Sequence, residues 1–130
     1  MQSFTLVIYA APDSQSSSTA LNFAREILHS GHEIYRLFFY QDGVLNACSF
    51  NTPSQDEENL PASWQAFIQE HSIDAVVCVA SALKRGIINE SEAERYELPA
   101  SNLREGFEIS GLGQLIDGLI NSDRLVNFLP

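Results

Sequence analysis

The chain has 130 residues, with 7 Lys and Arg against 17 Asp and Glu, so its formal net charge is −10. Residues that are hydrophobic make up 45% and aromatic ones 10%, enough to bury a core without disulfide or metal staples, and 18% charged argues against intrinsic disorder. So few cations make unaided binding to a phosphate backbone a poor expectation, and the length fits one domain over residues 1–130.

Apolar and β-branched runs alternate with helical patterns along the whole length, the mark of strands joined by crossover helices and hence of a parallel sheet. Phe4 to Tyr9 reads as the first strand, nearly continuous in apolar character as a strand covered on both faces would be. The polar stretch Pro12 to Ser18 follows. From about Ser17, the positions Ala20, Leu21, Ala24, Ile27 and Leu28 form one helical stripe, and Gly31 supplies the stop. Glu33 to Tyr40 is the second strand, closed by the turn residues Gln41, Asp42 and Gly43. Val44 to Glu58 is the longest connection, before a helix carrying Leu60, Trp64, Phe67 and Ile68.

Ile73 to Val79 is the third strand, followed by helix-compatible residues from Ser81 to Arg85 and by Gly86. Asn89 to Leu98 reads as a short acidic helix and Phe107 to Ile109 as a short strand. Ser110 is expected to cap a helix running to Asn121 with Leu112, Leu115, Ile116 and Leu119 inward, and Arg124 to Phe128 is the last strand. No apolar run approaches the roughly 20 residues that span a bilayer, and Met1 to Tyr9 lacks the basic start of a signal peptide. The expected address is the cytoplasm, with no membrane partner.

Cys78 sits where the third strand gives way to a helix, and the carboxyl ends of strands are where ligands approach an open α/β sheet. Free N–H groups at a helix start, with Lys84 and Arg85 close in sequence, would favour a nucleophilic or sulfur-carrying thiolate. The other reading is a small buried hydrophobe flanked by Val76, Val77 and Val79, and spacing alone puts that reading first. Cys48 lies in a polar loop with no cation near it in sequence, an incidental thiol or a resolving partner for Cys78.

His29 and His71 suit the carbonyl ends of helices, so no metal site is expected. Gly106, Gly111 and Gly113 do not form a phosphate loop, and no other cofactor motif is present. The hydroxyls from Ser14 to Thr19 could cradle a phosphate but fit capping and turn formation better. The acidic residues Asp56, Glu57 and Glu58, and the segment Glu90 to Glu97, are solvated faces or steer a basic protein partner. The aromatics Phe38 to Tyr40, if not core, point to a subunit interface.

Four stretches carry a wider resemblance: GHEIYRLFFYQDGVLNA (Gly31–Ala47), CVASALKRGIINESEA (Cys78–Ala93), SNLREGFEISGLGQLI (Ser101–Ile116) and DRLVNF (Asp123–Phe128). In this order they resemble the DsrE/TusD family of bacterial sulfur-relay subunits. The resemblance implies a single-domain, three-layer DsrE/F-like (flavodoxin-like) α/β fold with a mostly parallel central sheet. Its catalytic cysteine lies in a CVAxAxRRG-type motif, which falls on Cys78 and reverses the buried reading. Cys78 would then accept sulfane sulfur as a persulfide from an upstream carrier and pass it downstream.

In the TusD branch that sulfur goes to 2-thiolation of the tRNA wobble uridine, and in the DsrE branch the relay serves sulfur oxidation. Lys84 stands where the family usually has arginine, Arg85 keeps the second basic position, and both are candidates for electrostatic support. Cys48 has no counterpart in the family pattern, and Asp13 and Ser14 replace the tyrosine often found after the first-loop proline. The resemblance further implies two related small subunits in a heterohexamer, a dimer of heterotrimers, with no tRNA touching this chain and no bound cofactor. Two other functions fit the residues alone: a non-catalytic structural subunit with an inert Cys78, or a flavodoxin-like small-molecule module.

Overall fold

A computed structural model describes all residues 1–130. Five strands, β1 (Ser3–Ile8), β2 (Glu33–Phe39), β3 (Ala75–Cys78), β4 (Phe107–Ser110) and β5 (Arg124–Phe128), form one sheet in the order β4-β3-β2-β1-β5. Every pairing is parallel. Helices α1 (Gln15–His29), α2 (Leu60–His71), α3 (Val79–Lys84), α4 (Glu90–Arg95) and α5 (Gly113–Asn121) fill the connections, with a 3₁₀ helix at Gln41–Ala47. No helix is long and apolar enough to cross a membrane.

The two-residue period of the strands sorts their side chains between two layers. Leu6 and Ile8, Leu37 and Phe39, and Ala75 and Val77 join Ala20, Leu21, Ala24 and Ile27 of α1 and Leu60, Trp64, Phe67 and Ile68 of α2 in the main core. Val7, Phe38, Val76 and Cys78 face the other way, towards Leu115 of α5 and the half-buried Tyr9, Tyr40 and Leu125. Cys78 therefore belongs to the α5 side of the sheet. Phe38 and Phe39 are fully buried, so the aromatic run of β2 is core rather than an interface.

The α1 stripe lies inward as its spacing predicts, and Gly31 closes the helix with φ +82°. Ser14 caps α1 by accepting the N–H of Ser16, which starts the helix two residues earlier than the apolar pattern indicates. The connection after β2 is more ordered than its polarity implies, because Gln41 to Ala47 form the 3₁₀ helix. Gly43 is needed there for close approach: a Cβ on it would lie 1.9 Å from the carbonyl oxygen of Ile8.

At the C-terminal end the expected arrangement changes. Ser110 is the last residue of β4, and α5 starts at Gly113 without a side-chain cap. Leu112, Ile116 and Leu119, expected inward, are 47%, 56% and 60% exposed, while the helix packs through Leu115 and Gly118. Leucines and isoleucines of α5 form a single stripe, yet most of that stripe faces outward, because polar contacts hold the opposite face, with Gln114, Asp117 and Gly118, on the sheet. Thr5 donates through Oγ1 to the Gly118 carbonyl at 3.2 Å, and a Cβ on Gly118 would meet the Thr5 side chain at 2.8 Å.

Arg36 supplies the second tie. Its NH1 donates to the Gln114 carbonyl and to Asp117 Oδ2, while Nε and NH2 donate to Asp74 Oδ2 at 2.9 and 2.7 Å. The register between β1 and β2 skips Tyr35, pairing Phe4 with Ile34 and Thr5 with Arg36. This bulge lets two successive residues reach the same carboxylate, because the Tyr35 hydroxyl also donates to Asp117 Oδ2 at 2.7 Å.

Candidate functional site at the carboxyl ends of the strands

Cys78 ends β3 and precedes α3 directly, with φ −60° and ψ 123°. Its position follows from the sequence: Ala75, Val76 and Val77 are buried strand residues, and Val79 to Lys84 then turn helical. The residue is 2% exposed, yet it lines a cavity of about 470 Å³ together with Tyr40, Gln41, Ser81, Lys84 and Leu112. Arg85 lines the same cavity. The residues expected to act together are thus neighbours around one space.

The two cations differ in their commitments. Arg85 donates from Nε to Asp42 Oδ1 at 2.8 Å and from NH1 to the Ser81 carbonyl at 3.3 Å, so a carboxylate already offsets its charge. Lys84 is exposed and has no carboxylate within ion-pair distance. The α3 helix has only six residues, which limits what its dipole contributes at Cys78. The cavity is built from the ends of β2 and β3 and from Leu112 just before α5.

Gln41, Tyr40, Ser81 and Leu112 were not singled out as site residues by their sequence patterns. Gln41 was visible only as turn chemistry, and Leu112 only as an inward helix position. Ser81 is buried, and its Oγ accepts the Gln41 N–H at 3.0 Å, which joins the loop after β2 to α3.

Cys48 lines a different cavity, of about 510 Å³, with Ala11, Asp13, Asn51, Glu57 and Leu60 among its walls. Its loop is held by an antiparallel bridge to Leu103 and by Arg104 Nε donating to the Cys48 carbonyl at 2.9 Å. A cation therefore does lie close to Cys48, brought in from a distant segment, but it engages the main chain.

Three of the hydroxyls from Ser14 to Thr19 are already engaged within the protein. Ser17 is fully buried, donates to Asn46 Oδ1 at 2.9 Å and accepts from Trp64 Nε1 at 3.4 Å. Ser14 caps α1 and Thr19 donates to the Gln15 carbonyl. His32 Nδ1 accepts the Gln2 N–H at 2.9 Å, and the His71 ring lies 5.0 Å from that of Phe67.

The Asp117 carboxyl is held below the ordinary carboxylate range, first by the hydrogen bond from Tyr35 and then by that from Arg36. The Tyr35 phenol is pushed up by the same bond, since ionising it would put two anions together.

Residues 2–128 match the model of the DsrE/DsrF-like family. The chain is 47% identical over 125 residues to the sulfurtransferase TusD homolog of Pseudomonas aeruginosa, covering 96% of this chain and 95% of that one. It is 45% identical over 126 residues to the DsrE protein of Allochromatium vinosum, covering 96% and 97%. The crystal structure of the ychN protein from E. coli superposes with a TM-score of 0.77 over 98% of this chain and 100% of the other, at 21% identity, a likeness of fold. With its all-parallel sheet, its strand-end cysteine and a family match over nearly its whole length, this chain belongs to the DsrE/DsrF-like family.

Proposed function

We propose that the chain is a sulfur-relay sulfurtransferase, one domain over residues 1–130, with Cys78 as the catalytic residue that carries the sulfur. The observation that carries this reading is a strand-end cysteine lining an open cavity beside Lys84 and Arg85. Its thiolate attacks the outer sulfur of an upstream persulfide; the new bond joins Sγ to that sulfur, the donor S–S bond breaks, and its electron pair leaves on the donor as a thiolate. The second step repeats this exchange with a downstream thiolate as attacker. Neither step consumes an oxidant or a cofactor.

Relatives named TusD homolog and DsrE match at 47% and 45% identity, so both branches, tRNA wobble-uridine thiolation and sulfur oxidation, fit this chain. Lys84 is the cation left to attract an anionic sulfur donor, and Arg85 supports the site by tying its walls together. Assembly with two related small subunits as a dimer of heterotrimers goes with this reading, supported by Leu112, Ile116, Leu119 and Ile120 standing exposed along α5. A net charge of −10 suits contact with sulfur-carrier proteins rather than with tRNA. A cytoplasmic address follows from the same chemistry, since a reducing compartment keeps the acceptor thiol free.

The test is intact mass spectrometry under non-reducing conditions after incubation with a cysteine desulfurase, L-cysteine and a sulfur-carrier protein. A reducible gain of sulfur in wild type and Cys48→Ser that is absent in Cys78→Ser is the expected result. A second reading, a scaffold subunit with inert Cys78, draws on that residue being only 2% exposed. It takes first place if no form gains sulfur with the partner subunits present.

A further inference from the structure

Gln41 has φ +51°, in the left-handed region that favours glycine. Ser72 and Glu97 share that region, but they follow the last turns of α2 and α4, where a left-handed residue closes a helix. Gln41 follows a strand and closes no helix. Its conformation is fixed from three sides: its N–H donates to Ser81 Oγ, Asp42 next to it holds Arg85, and Gly43 presses on the Ile8 carbonyl. Glycine would adopt this backbone without strain, so the turn by itself gives no reason for a side chain. The residue nevertheless lines the Cys78 cavity and is exposed, and its carboxamide takes part in none of the protein's hydrogen bonds. Strain of this kind collects where a side chain must be presented to a ligand.

We infer that Gln41 binds the transferred sulfur, its Nε2 donating a hydrogen bond to the terminal sulfur of a Cys78 persulfide. The inference rests on the carrier role proposed for Cys78. Loading adds one sulfur about 2 Å beyond Sγ. Cys78 is 2% exposed, so the space available for that atom is the cavity, whose rim Gln41 occupies. A neutral amide donor stabilises a negatively charged sulfur there without the tight hold of an ion pair, which suits a group that must be handed on.

The test equilibrates wild type, Gln41→Gly, Gln41→Asn and Cys78→Ser with glutathione persulfide and glutathione. The Cys78 thiolate attacks the outer sulfur of the reagent, the Sγ–S bond forms, the reagent S–S bond breaks, and glutathione leaves as a thiolate. Intact mass gives the loaded fraction, and thermal unfolding is measured on each chain. Gln41→Gly is expected to unfold at the wild-type temperature or above, since glycine relieves the backbone, while its loading constant falls about fivefold to tenfold. Gln41→Asn keeps a carboxamide and tolerates the left-handed region, so it recovers part of that loss. Equal loading of Gln41→Gly and wild type overturns the role of Gln41 and leaves Cys78 as carrier. A lower unfolding temperature for Gln41→Gly also overturns it, because the conformation would then carry no strain to explain. No loading of wild type, or equal loading of Cys78→Ser, overturns both readings together.

Discussion

Arg85 Nε and Asp42 Oδ1 meet at 2.8 Å, joining the residue after α3 to the loop after β2 at the cavity that Cys78 lines. The pair is 28% and 58% exposed, so Asp42→Asn is expected to cost less than about 1 kcal/mol of stability. It also releases the Arg85 charge. The ratio of Cys78 alkylation rates with anionic iodoacetate and neutral iodoacetamide is expected to rise, on the order of threefold if the released charge acts across about 6 Å of water. The ratio cancels any change in thiolate fraction, and an unchanged ratio would mean that Arg85 acts on structure alone.

Arg36 is 10% exposed in its side chain and bridges Asp74 and Asp117, which are 42% and 41% exposed. Arg36→Met is expected to cost about 2 kcal/mol, below the value for a fully buried pair because water can reach both carboxylates. Since Arg36 also holds the Gln114 carbonyl, residues 113–121 should lose hydrogen-exchange protection before the rest of the chain does. Uniform loss of protection across the sheet would contradict this local role.

The same cluster sets a pH dependence. Asp117 has a depressed pKa in the folded chain, so its contribution is complete above the unfolded carboxylate value near 4 and is lost as pH falls through the lower folded value. Tyr35 has a raised pKa, so its contribution holds below about 10 and is lost as pH rises through the folded value. The urea midpoint of Asp117→Asn should therefore lie below that of wild type at pH 6 and converge on it as the pH is lowered past 4. A gap that stays constant with pH would show that the carboxylate charge is not what matters.

Ile120 is 72% exposed and stands with Ile116 and Leu119 on the outer side of α5. Ile120→Lys should leave the unfolding midpoint of the isolated chain within about 0.5 kcal/mol of wild type, as expected for a surface site. It should weaken co-purification with the related subunits, read by sedimentation velocity of the mixed proteins. Undiminished assembly would move the interface to another face.

The α1 stripe and the α2 core positions were legible because each depends on a local period of apolar residues, and burial then follows the period. Cys78 could be located at a strand-to-helix junction from its flanking valines, and the motif around it motivates the chemistry proposed for it. The α/β order and the end of the sheet at which Cys78 lies were thus readable from local patterns alone. The sequence by itself turned α5 the wrong way, because the leucines and isoleucines of that helix form one stripe that the fold leaves largely exposed while the polar face meets the sheet. That choice was made by Arg36, Tyr35 and Thr5, which lie at least 78 residues away from their partners in α5. Nor could it show that Arg85 is engaged by Asp42, or that Ser81 holds Gln41 in a left-handed turn, since these pairs are 43 and 40 residues apart. Only the packed sheet, by bringing the ends of β2 and β3 side by side, decides which polar groups meet around Cys78.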